Sequence, residues 1–304
     1  VDTFTVGSTG NIAHVLAGGA GEDTLNLTAN AALVNVGSIT AIQTVNIDVV
    51  AGADVSITTD FHADVDDITI TGGNSLSTFD AGTVNTALET ISAAAFTGNL
   101  LVDFGANTFD NTVTVTGGAL TTDAITTALS GATTFTPTTS GVEIITVTAT
   151  GADTTVLDTS ATTGLTTINV TNSVAGTFRA DKLTGTEAIV VKAANDAASI
   201  IEGKLASASG ETDSLTFHAA GGTTADGWKI KTDDIETVTI KAVLTDTVDL
   251  SGLAMTTAGK VMTLNATGAT ALTVSATNAD VTTIDASGMT TGGSFVQTGR
   301  SATA

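Results

Sequence analysis

Short runs of alternating β-branched and polar residues recur along nearly the whole chain, each bounded by Gly, Asn, Asp or Ser. Thr44-Val45-Asn46-Ile47, Asp67-Ile68-Thr69-Ile70, Ile145-Thr146-Val147-Thr148, Thr237-Val238-Thr239-Ile240 and Ala271-Leu272-Thr273-Val274 are examples. A period of two puts every second side chain on one face, the pattern of a half-buried strand. Many runs follow one another at about 20 residues, the spacing of solenoid coils. Aromatics are only 4% of residues, with one Trp and no Tyr, so the apolar mass is Ala, Val, Ile and Leu. That composition suits thin cores of stacked aliphatics better than a thick globular core. The expected fold is all-β: an elongated parallel β-helix or β-solenoid, continuous through residues 1–304.

A longer echo lies above the strands. Asp23-Thr24-Leu25-Asn26-Leu27 is followed by Ile42-Gln43-Thr44-Val45, and Asp213-Ser214-Leu215-Thr216-Phe217 by Ile235-Glu236-Thr237-Val238. A weaker copy pairs Asp110-Asn111-Thr112-Val113 with Val142-Glu143-Ile144-Ile145. Three diverged units result, approximately 1–109, 110–210 and 211–304, stacked in a line. Two segments break the strand pattern and are expected as short helical insertions. They are Thr121 to Leu129, and Asn195 to Ala208 with Ile200, Ile201 and Leu205 on one helical face.

The net charge is −22, and all nine cations lie between Arg179 and Arg300. Carboxylates in the first 178 residues have no Lys or Arg of their own segment to pair with. They must stay solvated, accept backbone N–H groups or bind metal. Such a surface disfavours nucleic acid and anionic membrane as partners. No cysteine is present, which excludes disulfides and thiol chemistry. No run of 18 apolar residues occurs, so no membrane span is expected. Val1 is not a natural initiator, so the chain is expected to be a fragment of a longer one.

Gly18-Gly19-Ala20-Gly21-Glu22-Asp23-Thr24-Leu25-Asn26 fits the calcium-binding nonapeptide G-G-x-G-x-D-x-U-x at each fixed position. Gly18, Gly19 and Gly21 allow a tight turn with inward carbonyls, and Asp23 adds a hard carboxylate oxygen. An ordinary Gly-rich turn before a strand is the other reading. Asp60, Asp64, Asp66 and Asp67 form the densest acidic cluster, a second candidate calcium site or else a solvated acidic turn. The EF-hand pattern is absent there. Asp233-Asp234-Glu236 is a weaker cluster, with Lys229 and Lys231 nearby to pair with it.

The three histidines, His14, His62 and His218, are dispersed, with no H-E-x-x-H, and no G-x-S-x-G occurs. No catalytic residue is assigned, and the chain is read as a non-enzyme.

Asp2-Thr3-Phe4, Gly18 to Leu25, the I-[QE]-T-V strands and Val281-Thr282-Thr283-Ile284-Asp285-Ala286-Ser287-Gly288 resemble the RTX-type surface-layer proteins of Gram-negative bacteria. The resemblance implies calcium-stabilised folding, type I secretion, an extracellular place on the bacterial surface and self-assembly into a two-dimensional lattice. It also implies attachment to surface polysaccharide through regions outside this chain. RTX blocks usually carry several nonapeptides in tandem; this chain has one complete copy. The alternatives are an RTX-type adhesin and, third, a polysaccharide-acting β-helix enzyme. The latter usually needs a catalytic cation, which the first 178 residues lack.

Overall fold

Among the described residues the strand pairings are parallel, and strands follow one another across each sheet in chain order. The computed structural model describes residues 1–8, 15–30, 33–34, 39–50, 55–58, 64–73, 76–81, 87–106, 113–172, 175–194, 199–208, 212–221 and 228–298. The first sheet has eight strands: Thr3–Ser8, Thr24–Ala29, Thr44–Val49, Asp67–Gly72, Thr90–Phe96, Thr114–Thr116, Thr138–Ser140 and Thr162–Thr163. Twelve strands form the second, from Leu33–Val34 to Val281–Met289, and eight the third, from Thr134–Phe135 to Ser294–Gln297. Thr24 stands against Thr44 and Thr114 against Thr138, coils of 20 and 24 residues, and Ile200 stands against Lys229, a coil of 29. This is a parallel β-solenoid.

The chain forms two compact units. The first comprises residues 1–128, 136–146 and 161–165 and holds the whole first sheet with early strands of the second. The second comprises residues 129–135, 147–160 and 166–304 and holds the third sheet with later strands of the second.

The core of each unit is a set of in-register ranks. In the first, Leu25, Val45, Ile68, Ile91 and Val115 stack one above another, all buried. In the second, Leu215, Val238 and Leu264 do the same, beside Phe217, Ile240 and Ala266. The few aromatics concentrate inside: Phe79, Phe96, Phe104, Phe178, Phe217 and Trp228 are all fully buried. These six are core residues, while Phe4 and Phe295 are half-buried.

Threonine has a second use at strand ends. The N–H and the hydroxyl of Thr97 both donate to the Gly72 carbonyl of the preceding coil, at 3.0 and 3.2 Å. Thr150 does the same to Leu129, Thr290 to Gly268 and Thr298 to Val274. Two donors on one carbonyl fill both its lone pairs where the ladder stops.

Neither expected helical insertion is a helix. Ala124–Leu129 is a strand with strict alternation, Ile125, Thr127 and Leu129 buried. The Thr-rich stretch has a period of two, and its β-branched residues suit a strand. Ile200–Leu205 is a strand pairing on both sides, with Thr177–Leu183 and Trp228–Asp233. Gly203 within it disfavours a helix. A Cβ there would meet Leu215, Ile189 and Phe217 at 3.0 to 3.2 Å. Residues 195–198 lie outside the described set.

The ranks give a direct expectation. Ile68→Ala should cost about 2–5 kcal/mol, whereas the outward neighbour Thr69→Ala should change stability by about 0.5 kcal/mol or less. Urea midpoints of the two variants read the difference.

Candidate functional site

Four coil corners are built alike. Ala41-Ile42-Gln43, Gly141-Val142-Glu143, Gly164-Leu165-Thr166 and Asp234-Ile235-Glu236 each precede a strand by one step. The first residue of each has positive φ, at 52°, 64°, 88° and 58° respectively. The second is buried and apolar. Positive φ turns the chain sharply, and the apolar residue anchors the turn on the core.

In three of the four, the third residue holds the coil below. The Asp23 N–H donates to Gln43 Oε1 at 2.9 Å, Asp123 N–H to Glu143 Oε2 at 3.0 Å, and Asp213 N–H to Glu236 Oε2 at 3.1 Å. Bonds also return. The N–H groups of Gln43 and Thr44 donate to the Asp23 carbonyl, those of Glu143 and Ile144 to the Asp123 carbonyl, and that of Thr237 to the Asp213 carbonyl. These contacts are the physical content of the 20-residue echo. Its middle copy is Asp123 with Glu143; Asp110 lies outside the described residues.

The glycines ahead of the Asp explain the motif. Gly18 N–H donates to the Thr40 carbonyl, and a Cβ on Gly18 would sit 2.0 Å from the Ala41 carbonyl and 2.5 Å from Asp23 Oδ2. Gly117 N–H donates to the Ser140 carbonyl, and its Cβ would sit 1.8 Å from the Gly141 carbonyl and 2.9 Å from Asp123 Oδ2. Gly18 and Gly117 are therefore one structural position, fixed by close backbone approach. Gly19 and Gly21 have φ of 91° and 122°. The second corner escapes the nonapeptide because Gly117-Gly118 stands one residue further from its Asp. The glycine pair, the Asp and an acid or amide 20 residues on together would have found it.

The carboxylates differ in what they meet. Asp123 is fully buried, and its two oxygens accept the N–H of Leu100 at 2.9 Å and of Gly118 at 2.5 Å. Burial nevertheless raises its pKa above the ordinary carboxylate value, those two N–H groups opposing. Glu143 is raised as well, first by burial and also by the Asp123 charge. Asp23 is equally buried. Its Oδ1 accepts the Asp2 N–H, with the Val1 nitrogen 3.7 Å away, while Oδ2 is buried with no hydrogen-bond donor among the described residues. At the Asp213–Glu236 corner burial acts to raise Glu236, but the pairing with Lys260 from the following coil and backbone N–H groups outweigh it and lower its pKa, and the pairing raises Lys260.

The second acidic cluster is strung along the coil. Asp64 Oδ2 accepts the Ala41 N–H at 2.9 Å. Asp66 and Asp67 donate their N–H groups to the Gln43 carbonyl, and the Asp67 carboxylate accepts the Thr90 hydroxyl. Asp60, with His14 and His62, lies outside the described residues. Among the described residues no group of three or more His, Asp or Glu side chains is placed to hold a metal. A calcium ion takes six to eight oxygens. The corner offers one such oxygen, Asp23 Oδ2, which has no hydrogen-bond donor among the described residues and lies beside a glycine turn. At the third cluster, Asp233 pairs with Lys204 and Glu236 with Lys260. Lys229 and Lys231 turn instead to Asp249 and Glu202.

No family model, curated protein or solved structure matches this chain.

Gln43 and Glu143 occupy the same place, which predicts the effect of exchanging them. Glu143→Gln keeps an oxygen for the Asp123 N–H and removes a charge beside a buried carboxylate. At neutral pH it should stabilise the protein by on the order of 1 kcal/mol. The folded pKa values of Asp123 and Glu143 are raised, so the folded state holds protons that the unfolded chain releases. Their effect on stability is therefore unfavourable as pH rises through the raised values, and vanishes below the unfolded ones. The advantage of Glu143→Gln should disappear below about pH 4, measured by thermal melts across pH.

Proposed function

We propose that this protein is a structural element of a bacterial surface layer, exported to the cell surface, where it self-associates into a lattice. Its role is mechanical and not catalytic. The observation that supports this best is the employment of its polar groups. Corner acids and amides bond the backbone of neighbouring coils, and strand-end threonines do the same. Side chains used in this way make a rigid repeat. The family likeness of the Gly18–Asp23 motif and the concentration of negative charge before residue 179 point the same way.

Calcium belongs to this proposal at the Gly18–Asp23 turn, with Asp23 Oδ2 as the carboxylate ligand and turn carbonyls or water as the others. Calcium would also relieve repulsion between copies of a chain of net charge −22 by binding carboxylates, where monovalent salt only screens. One feature favours the adhesin as a second reading. Thr3, Thr24, Thr44, Thr90, Thr114 and Thr138 stand in one outward rank of the first sheet, interrupted only by Asp67. Such an array of hydroxyls suits a binding face.

Two measurements test the proposal. Asp23→Asn keeps the shape and removes one negative ligand. The parent should gain melting temperature in millimolar Ca²⁺ and the variant should gain less; equal shifts would remove calcium from Asp23. Light scattering and electron microscopy of the protein during Ca²⁺ titration, against matched NaCl, should show ordered association. A strict monomer that adheres to cells would support the adhesin.

A further inference from the structure

The outward side of the first sheet carries two columns of short polar side chains. One is the threonine rank that Thr3 opens and Asp67 interrupts. Two residues further along each strand stands the other: Asn26, Asn46, Thr69, Ser92, Thr116 and Ser140, in register from coil to coil. The one register shift in these ladders falls beyond both columns, between Ser92 and Ala95. Buried Leu25, Val45, Ile68, Ile91 and Val115 separate the columns and turn them to solvent. In the second column Asn46 Nδ2 donates to Asn26 Oδ1 at 2.9 Å, so neighbouring side chains stack at the strand pitch of about 4.8 Å. All of these residues belong to the first unit.

Three properties of this face fit another copy of itself. The protein has a net charge of −22, yet among the described residues the outward side chains of these strands include two charges, Asp48 and Asp67. Two copies can therefore meet here with little repulsion. Hydroxyls and amides both donate and accept hydrogen bonds, so the columns complement their own kind, as a row of like charges cannot. Short side chains in register also let two sheets approach to about 10 Å with their side chains interleaved. The area is sufficient. The seven strands from Thr3–Ser8 to Thr138–Ser140 are mostly six residues long. At about 4.8 Å between strands and about 3.3 Å per residue they present roughly 600 Å². Two such faces bury about 1,200 Å², the lower end of the range for a specific, stable interface.

We propose that this side of the first sheet docks against the same side of a second copy of this chain. The inference rests on the self-association proposed above and names the surface that carries it, assigning the hydroxyl array to a second copy in place of a foreign ligand. A contact between like surfaces closes at two copies. It therefore supplies a paired building block, and a lattice needs a further contact elsewhere. Because the columns are almost uncharged, NaCl should not weaken the pairing; screening of the remaining negative charge should favour it.

The test compares the full chain with N46E/T69E and with the control T216E/T239E by sedimentation in NaCl with Ca²⁺. Asn46 stands against Thr69 on the proposed face, and Thr216 against Thr239 on the outward side of the second sheet, in the second unit. Each double variant thus adds two adjacent charges, and circular dichroism and melting temperature establish that each is folded. The parent and T216E/T239E should associate alike, within about twofold, and N46E/T69E at least roughly tenfold more weakly. The protein has no cysteine, so a Thr69→Cys or Thr239→Cys substitution places a single thiol. A short bismaleimide should link the Thr69→Cys variant into dimers and leave the Thr239→Cys variant unlinked. An N46E/T69E variant that associates like the parent would overturn this inference and leave the self-association standing; equal weakening of T216E/T239E would do the same. A monomeric parent would overturn both. If that monomer adheres to cells and N46E/T69E alone abolishes the adhesion, the array belongs to a foreign ligand and the docking of a second copy is overturned.

Discussion

The hydrogen bonds that join one coil to the next at the corners are what the rest of the structure depends on. Inside a strand with a neighbour on each side, the parallel ladder pairs the peptide groups. At a corner the chain changes direction and the ladder stops. A buried donor or acceptor left there costs about 1–3 kcal/mol. Here the Asp23, Asp123 and Asp213 peptide groups each bond to the coil above through both N–H and C=O. The carboxylates of Asp23 and Asp123 bond other backbone N–H groups in turn. Burying an acid in a cation-free segment becomes tolerable because peptide dipoles replace the missing cation.

Most of the fold was legible in the sequence. Period-two runs such as Thr44–Ile47 gave the strands, and their spacing gave the parallel stack. The helical reading failed at Ala124–Leu129 and Ile200–Leu205 for a common reason. Alanines and paired aliphatics are compatible with both periods over a short window. What decides is the neighbouring coil, which supplies backbone partners on both sides. Local patterning contains no record of that neighbour.

The corner was only partly legible. Asp23 is marked by its glycines, yet Asp123 is its equivalent and fits no fixed spacing. Gly117 and Gly118 shift by one residue, and a turn absorbs that shift where a strand could not. The four aspartates at 60–67 look like one cluster in sequence. In space Asp64 reaches back to the Ala41 N–H, while Asp67 takes the Thr90 hydroxyl of the following coil. Density of acids in sequence and convergence of acids in space are separate properties. In the later part of the chain, cations take over the balance, as where Lys231 and Lys204 cover buried Glu202. Backbone N–H groups hold buried acids in both parts of the chain, Asp123 before residue 179 and Glu187 and Asp246 after it, and ammonium groups add a second way at Glu202.

Amide hydrogen exchange tests the corner account most directly. The N–H groups of Asp123, Glu143 and Ile144 should exchange as slowly as those in mid-strand, because each bonds to an adjacent coil. The same amides exchanging at the rate of exposed loop amides, while the strands stay protected, would contradict it.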